Sequence, residues 1–347
     1  MNTPPHRAAL GGEPQLVRRW NWSLDVACAA GLIGPRRTEI KLSPWRARPL
    51  MHTSYTKQAG WPKLPDGFAF RMLSNIAEDS LGRLYFVHRG ARPLVRFDRD
   101  GNFLESLGET DLPQSVNYDL GKNPPQPIGR EYWLHGLHVD PWNNIWVTDL
   151  GRHLVLKFDP HGRLLMTLGQ SGQPGEALDR FNQPTAVVVD RSGHIYVADG
   201  YGNSRIVKYS ANGRPQLAWG RKGSAPGEFQ TPHGLSIDAD DNIYVAERMN
   251  HRVQIFSPDG RALALWPNLC RADAIEVKGE HVYVGTGYGD NAIYRFTRDG
   301  RNRETVGGGQ DAFGYPHGIH VDAAGSIHVA DPVAGNAAAR PAKYLAT

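Results

Sequence analysis

The stretch DRSGHIYVADGYGNSRIVKYSANGRPQLAWG, residues 190–220, decides how this chain folds. It holds two turn signals, DRSG (190–193) and SANG (210–213), set among the short β-type runs IYV (195–197), IVKY (206–209) and QLAWG (216–220). Glycine supplies the positive φ that such turns need, and a leading Asp or Ser bonds back to the backbone two residues on. The segment therefore reads as strand, turn or loop, strand, turn, strand, with a further strand entering before Asp190.

The same unit recurs along the chain. The first turn returns as DSLG (79–82), DPWN (140–143), DADD (238–241) and DAAG (322–325), and a shorter turn, KGEH, precedes VYV (282–284). A strand with a basic or aromatic end follows in every unit but the sixth, as LVRF (94–97), VLKF (155–158), VQIF (253–256) and IYRF (293–296). Four short antiparallel strands per unit is the pattern of a propeller blade. Aligning the first strands puts Ser74, His135, Thr185, His233, Asp273 and His317 in register, spaced by 61, 50, 48, 40 and 44 residues. Six units predict an all-β, six-bladed β-propeller over residues 61–347, preceded by an N-terminal arm over 1–60. An α/β chain would need helical periods of about 10–15 residues between strands, and only a weak stretch near 24–33 offers one. The sixth unit is short, so the arm is expected to complete the last blade, with LVRRW (16–20) and EIKLS (39–43) as the available strands.

Composition agrees with a turn-rich fold: 39 glycines and 25 prolines in 347 residues. The formal net charge is +4, without the basic block or aromatic-interleaved stripe that nucleic acid requires. Two cysteines, Cys28 and Cys270, build neither a disulfide framework nor a cysteine-rich metal site. No apolar run approaches the ~20 residues that cross a bilayer. The stretch Leu24–Gly34 is interrupted by Asp25 and followed by Pro35-Arg36-Arg37 instead of a small-residue cleavage site. These features read as a soluble, cytoplasmic protein that binds neither nucleic acid nor membrane.

Three histidines carry the chemistry. His135, His233 and His317 occupy one register position in blades 2, 4 and 6, in the contexts LHGL, PHGL and PHGI. Alternate blades of six stand about 120° apart around the channel, so the three imidazoles converge near its axis. That is the ligand count of an open zinc site. Ser74, Thr185 and Asp273 stand between them. His138 and His320, three residues on, face the other side of their strands and read as structural. Tyr201, flanked by glycines in ADGYGNSR (198–205), lies in a loop over one channel mouth. Arg89 in VHRG (87–90) and Arg248 in AERMN (246–250) hold the matching loops of blades 1 and 4, where planar guanidinium groups suit a carboxylate.

The blade pattern, with segments such as SAPGEFQTPHG, resembles NHL-type repeats. VHRG, LHGL, ADGYGNSR, PHGL with AERMN, and PHGI with VADP are similar, in that order, to the peptidyl-α-hydroxyglycine α-amidating lyases over roughly residues 68–334. The resemblance implies a catalytic zinc on His135, His233 and His317, catalytic roles for Tyr201 and Arg89, and an active-site lining role for Arg248. It implies cleavage of the C–N bond of an α-hydroxyglycine, or carbinolamide, to an amide and glyoxylate. The substrate would be a small or peptide-derived α-hydroxy compound, made by a separate monooxygenase partner. The family's structural calcium would fall on the carbonyls of Ile76 and Leu137, but the Asp that follows the third histidine there is Gly318 here, which argues against that ion. Two other readings stay open: a metal-dependent, lactonase-like hydrolase, and a non-catalytic NHL-repeat interaction module.

Overall fold

The computed structural model describes residues 41–42, 55–119, 126–287, 290–306, 313–332 and 341–346. Among them every regular element is a strand, and the strands form six antiparallel four-stranded blades, one of which carries a fifth, parallel strand on its outer edge, and a separate two-stranded hairpin. The innermost strands are Asn75–Glu78, Leu134–Val139, Ala186–Val189, Pro232–Ile237, Ala272–Lys278 and Gly318–Val321. Each touches the next, and the last touches the first, which closes a six-bladed ring.

Five of the six blades are built on a turn aspartate; the fifth turns at Lys278–His281 without one. Asp79 Oδ1 accepts the backbone N–H of Leu81 and Arg83, both at 2.9 Å, while Oδ2 accepts the hydroxyl of Tyr85 at 2.9 Å. The arrangement repeats with Trp146 on Asp140, Tyr196 on Asp190, Tyr244 on Asp238 and His328 on Asp322. The turn and the strand after it are thus one hydrogen-bonded unit. The basic residue of the third strand lies over that aromatic ring: Arg96 over Tyr85, Lys157 over Trp146 and Lys208 over Tyr196, at 5.1–5.8 Å. This accounts for the basic and aromatic pattern of the repeat.

The apolar core is divided among the joints between blades. Tyr85 and Val87 of blade 1 pack with Leu134 and Val147 of blade 2; Val187 and Val197 of blade 3 pack with Trp146 and Val155 of blade 2. Corresponding clusters fill the remaining joints. The second strand of each blade is buried on both faces, so it reads as an apolar run without strict alternation, while outer strands such as Phe103–Ser106 and Leu164–Leu168 are largely exposed.

The outer strand of the last sheet is Tyr55–Lys57, antiparallel to Ala342–Ala346. The propeller therefore includes residues before position 61. Of the two closing strands expected from the sequence, EIKLS goes elsewhere: Lys41–Leu42 pairs in parallel with Ala264–Leu265 on the outer edge of blade 4. LVRRW lies outside the described residues.

His320 ties the closing joint. Its Nε2 lies 3.0 Å from Glu78 of blade 1 and its Nδ1 lies 3.1 Å from Glu276 of blade 5. Burial opposes its charge, but Glu276 and Glu78 more than offset that and raise its pKa to about 9. The neighbouring His328 ring, 5.8 Å away, is held by Asp322.

Two outcomes are expected. Deleting residues 1–57 uncovers the edge of Ala342–Ala346, inviting aggregation, and should lower the melting temperature well below that of a 1–54 deletion. Equal melting of the two proteins would refute the closing role of Tyr55–Lys57. For His320, the unfolded pKa is about 6.5, so its contribution is fully present below that value and is lost as pH rises through about 9. Denaturation of His320→Gln should show a deficit of about 3 kcal/mol near pH 6 that fades by pH 9; parallel pH profiles would refute the clamp.

Candidate metal centre and active site

Each of the three histidines is anchored across a blade joint. Nδ1 of His135 lies 2.7 Å from the carbonyl of Thr185, that of His233 lies 2.7 Å from Asp273, and that of His317 lies 2.8 Å from Ser74. The acceptors are the register partners on the next blade. A carbonyl can only accept, so each Nδ1 carries the hydrogen and each Nε2 presents its lone pair. The glycine after each histidine permits this approach. A Cβ on Gly136 would lie 2.7 Å from the Thr185 oxygen, on Gly234 2.7 Å from the Asp273 oxygen, and on Gly318 2.9 Å from the Ser74 oxygen. The His-Gly pair is therefore one device: the imidazole bonds the carbonyl that any larger following residue would strike.

The rings stand 4.6–4.9 Å apart between centroids, and one nitrogen of each lies within 4.8 Å of the others. Burial, helped by the neighbouring His317, holds His135 well below the usual imidazole range. Burial and Arg248 do the same to His233, and bring His317 to about 4. All three are neutral at pH 7. The approach of His233 Nδ1 to the Asp273 carboxylate, 4.0 Å, is accordingly no ion pair.

Three lone pairs then point into one space that holds few donors. Tyr201 Oη lies 3.2 Å from Nε2 of His135 and 3.1 Å from Nε2 of His233, but has one proton to give. Arg248 Nη2 donates to His233 at 2.6 Å. Nε2 of His317 makes no hydrogen bond among the described residues. Three neutral imidazoles, each donating its other N–H to a backbone carbonyl, form a donor set that fits zinc with one position left open.

The calcium candidates fit less well. A side chain at Gly318 has no room, since its Cβ would meet Asn75 at 2.8 Å. Asn75, Leu137 and Asp273 line the small cavity beneath the histidines, whereas Ile76 does not. The Asp273 carboxylate is already engaged by Arg248 and by the Tyr315 hydroxyl.

The structure brings Tyr201, Arg248 and Arg89 to the same mouth. Tyr201 is fixed by its backbone, whose N–H bonds the Gln183 carbonyl at 3.3 Å. Arg248 Nη1 donates to the Tyr201 oxygen at 3.0 Å, and the guanidinium lies over the phenol ring at 5.6 Å. Arg89, largely buried, packs over Trp133 at 5.4 Å and reaches Glu131 at 3.3 Å; its Nε has no hydrogen-bond partner among the described residues. Burial lowers the Arg89 pKa, partly countered by Glu131 and Tyr201.

Two residues of the site were missed by the sequence reading as contributors. Asp273, which the register alignment placed only as a spacer, ion-pairs with Arg248. Tyr315 bonds both partners, accepting from Arg248 Nη2 at 3.2 Å and donating to Asp273. Burial lowers the Arg248 pKa, but Tyr201, Asp273 and Tyr315 outweigh it and leave the guanidinium more firmly charged. The signals available were an acid at the ring register and the Tyr two places before His317.

Removing one member of a buried pair leaves a buried charge and costs about 3–5 kcal/mol. Asp273→Asn should show a loss of that order in chemical denaturation, and Asp273→Asn with Arg248→Met should recover most of it. A single-variant loss below about 1 kcal/mol would contradict the coupling.

The NHL repeat family matches residues 181–209 and 229–256. The chain is 40% identical to the "Probable peptidyl-alpha-hydroxyglycine alpha-amidating lyase pgal-1" of Caenorhabditis elegans, over 61% of this chain and 66% of that protein. It is 35% identical to the "Peptidylglycine alpha-amidating monooxygenase" of Rattus norvegicus, over 62% of this chain but 23% of that protein. It thus spans about a quarter of the rat relative. Among solved structures, a streptogramin B lyase superposes with a TM-score of 0.56 over 87% of this chain and 100% of its own, at 16% identity, and shows the shared fold alone.

Proposed function

We propose that this NHL-repeat propeller, a relative of the peptidyl-α-hydroxyglycine α-amidating lyases, is a zinc-dependent carbon–nitrogen lyase acting on an α-hydroxyglycine. The observation that carries the reading is the convergence of three neutral imidazole Nε2 atoms with the phenol of Tyr201 and the guanidinium of Arg248. His135, His233 and His317 would hold the ion. Zinc there would act as a Lewis acid that draws electron density from the substrate hydroxyl.

The chain's own groups account for the rest. Arg89, with its unpartnered Nε, holds the carboxylate of the glycolate unit, and Arg248 adds the one Nη1 hydrogen that Tyr201 leaves to it. Tyr201, whose oxygen already receives Arg248 Nη1, relays the proton: it takes the hydroxyl proton as it passes its own phenolic proton on to the departing nitrogen. The hydroxyl oxygen becomes the carbonyl of glyoxylate, the C–N bond breaks with its electron pair passing to nitrogen, and the proton on Tyr201 goes to that nitrogen to give the primary amide. Asp273 and Tyr315 act through Arg248 and are positioning residues.

The test is elemental analysis together with an assay of glyoxylate from an N-acyl-α-hydroxyglycine. One zinc per chain and glyoxylate equal to amide are expected. His233→Ala should lose both metal and turnover, and Tyr201→Phe should keep the metal and lose turnover. A hydrolase using the same centre would release acid from lactones with no glyoxylate, and an interaction module would keep its metal content when the three histidines are replaced together.

A further inference from the structure

The long spacing between blades 1 and 2 contains a hairpin, Ser115–Asp119 paired with Gln126–Glu131. It forms a two-stranded sheet of its own and adds no strand to a blade, so ring closure does not account for it. Its C-terminal end is nonetheless fastened to the active site. Glu131 meets Arg89, and Trp133, two residues on, lies under the same guanidinium.

Between the hairpin and residues 66–72 lies a cleft of about 1040 Å³. Arg89 lines it, and its charge also acts on Tyr201 and His135 of the metal centre. Arg71, Arg92 and Arg130 also line it, with Phe68 and Tyr132. Arg71 and Arg92 are exposed and have no ion-pair partner among the described residues, and Arg130 donates to the carbonyl of Gln114 at 2.8 Å. Two acids share the wall, Asp66 and Glu131, and Glu131 is taken by Arg89. The balance is cationic, with aromatic faces beside it. A volume of this size exceeds what an isolated hydroxyglycine fills.

We propose that this cleft binds the portion of the substrate that precedes the glycolate carbon, and that it selects an acidic peptide. The inference rests on the lyase reading for the identity of the reacting end. Arg89 marks the junction: its inner side faces the glycolate carboxylate, and the chain that becomes the amide runs outward past Tyr132. Arg71 and Arg130 stand along that path as partners for carboxylates.

The test uses the purified full chain and peptides that cannot be cleaved. Binding of acetyl-Glu-Glu-Phe-Gly and acetyl-Lys-Lys-Phe-Gly is measured by calorimetry at low and high salt. The acidic peptide should bind roughly tenfold tighter, as two exposed ion pairs provide, and the ratio should shrink as salt screens them. The double variant Arg71→Ala, Arg130→Ala should bring the ratio close to one. Equal affinities in the unmodified protein, no binding of either peptide, or a preference that survives in the variant would overturn the proposal. The corresponding hydroxyglycine peptides test the lyase reading separately: absence of glyoxylate from both defeats that reading whatever the binding ratio, while glyoxylate at equal kcat/KM from both defeats acidic selection and leaves the lyase standing.

Discussion

The bond from a histidine Nδ1 to the carbonyl of the next blade is the contact on which the site depends. It occurs at three of the six joints, between blades 2 and 3, 4 and 5, and 6 and 1. Each bond does three things at once. It holds two inner strands at close approach, it selects the tautomer, and it aims Nε2 at the channel axis. The following glycine is part of the same contact, because a Cβ there would strike the oxygen that the imidazole needs. Ring geometry and ligand geometry are therefore inseparable: a propeller with looser joints would lose the convergence before it lost the fold.

Desolvation sets the electrostatics of the centre. Burial in the channel keeps the imidazoles neutral, which makes them ligands instead of cations. The same burial works against Arg248, whose guanidinium must stay charged to meet a carboxylate. Asp273 resolves the conflict, with Tyr315 bridging the pair. An arginine beside neutral histidines requires an acid behind it, and that acid comes from blade 5, one of the three that supply no metal ligand.

The fold was legible because its determinants are local. A turn aspartate and the aromatic six residues later are close in the chain, and their hydrogen bond repeats from blade to blade. The histidine triad was legible through register, which converts sequence spacing into position around the ring. Residues whose role depends on a neighbour far away in sequence were harder to read. Tyr315 serves Arg248, 67 residues earlier, and neither motif mentions the other. The closing strand was misassigned for a related reason: YTK (55–57) is too short to stand out beside EIKLS, and only the exposed edge of the last blade distinguishes them.

Two histidines of blade 6 show how far position decides chemistry. His317 and His320 sit three residues apart, both are largely buried, and both begin from the same intrinsic imidazole. Burial and the field of Arg248 outweigh the carbonyl that His317 meets, and its pKa falls to about 4. His320 meets two carboxylates from the flanking blades, and its pKa rises to about 9. Between those values one ring is a lone-pair donor and the other a cation. The metal-facing layer needs the first state, since a protonated imidazole cannot ligate. The closing joint needs the second, since Glu78 and Glu276 would otherwise face each other's charge across it. A single protonation state for both histidines would sacrifice either the ligand or the joint. The acids of blades 1 and 5 allow the fold to hold both states on one strand.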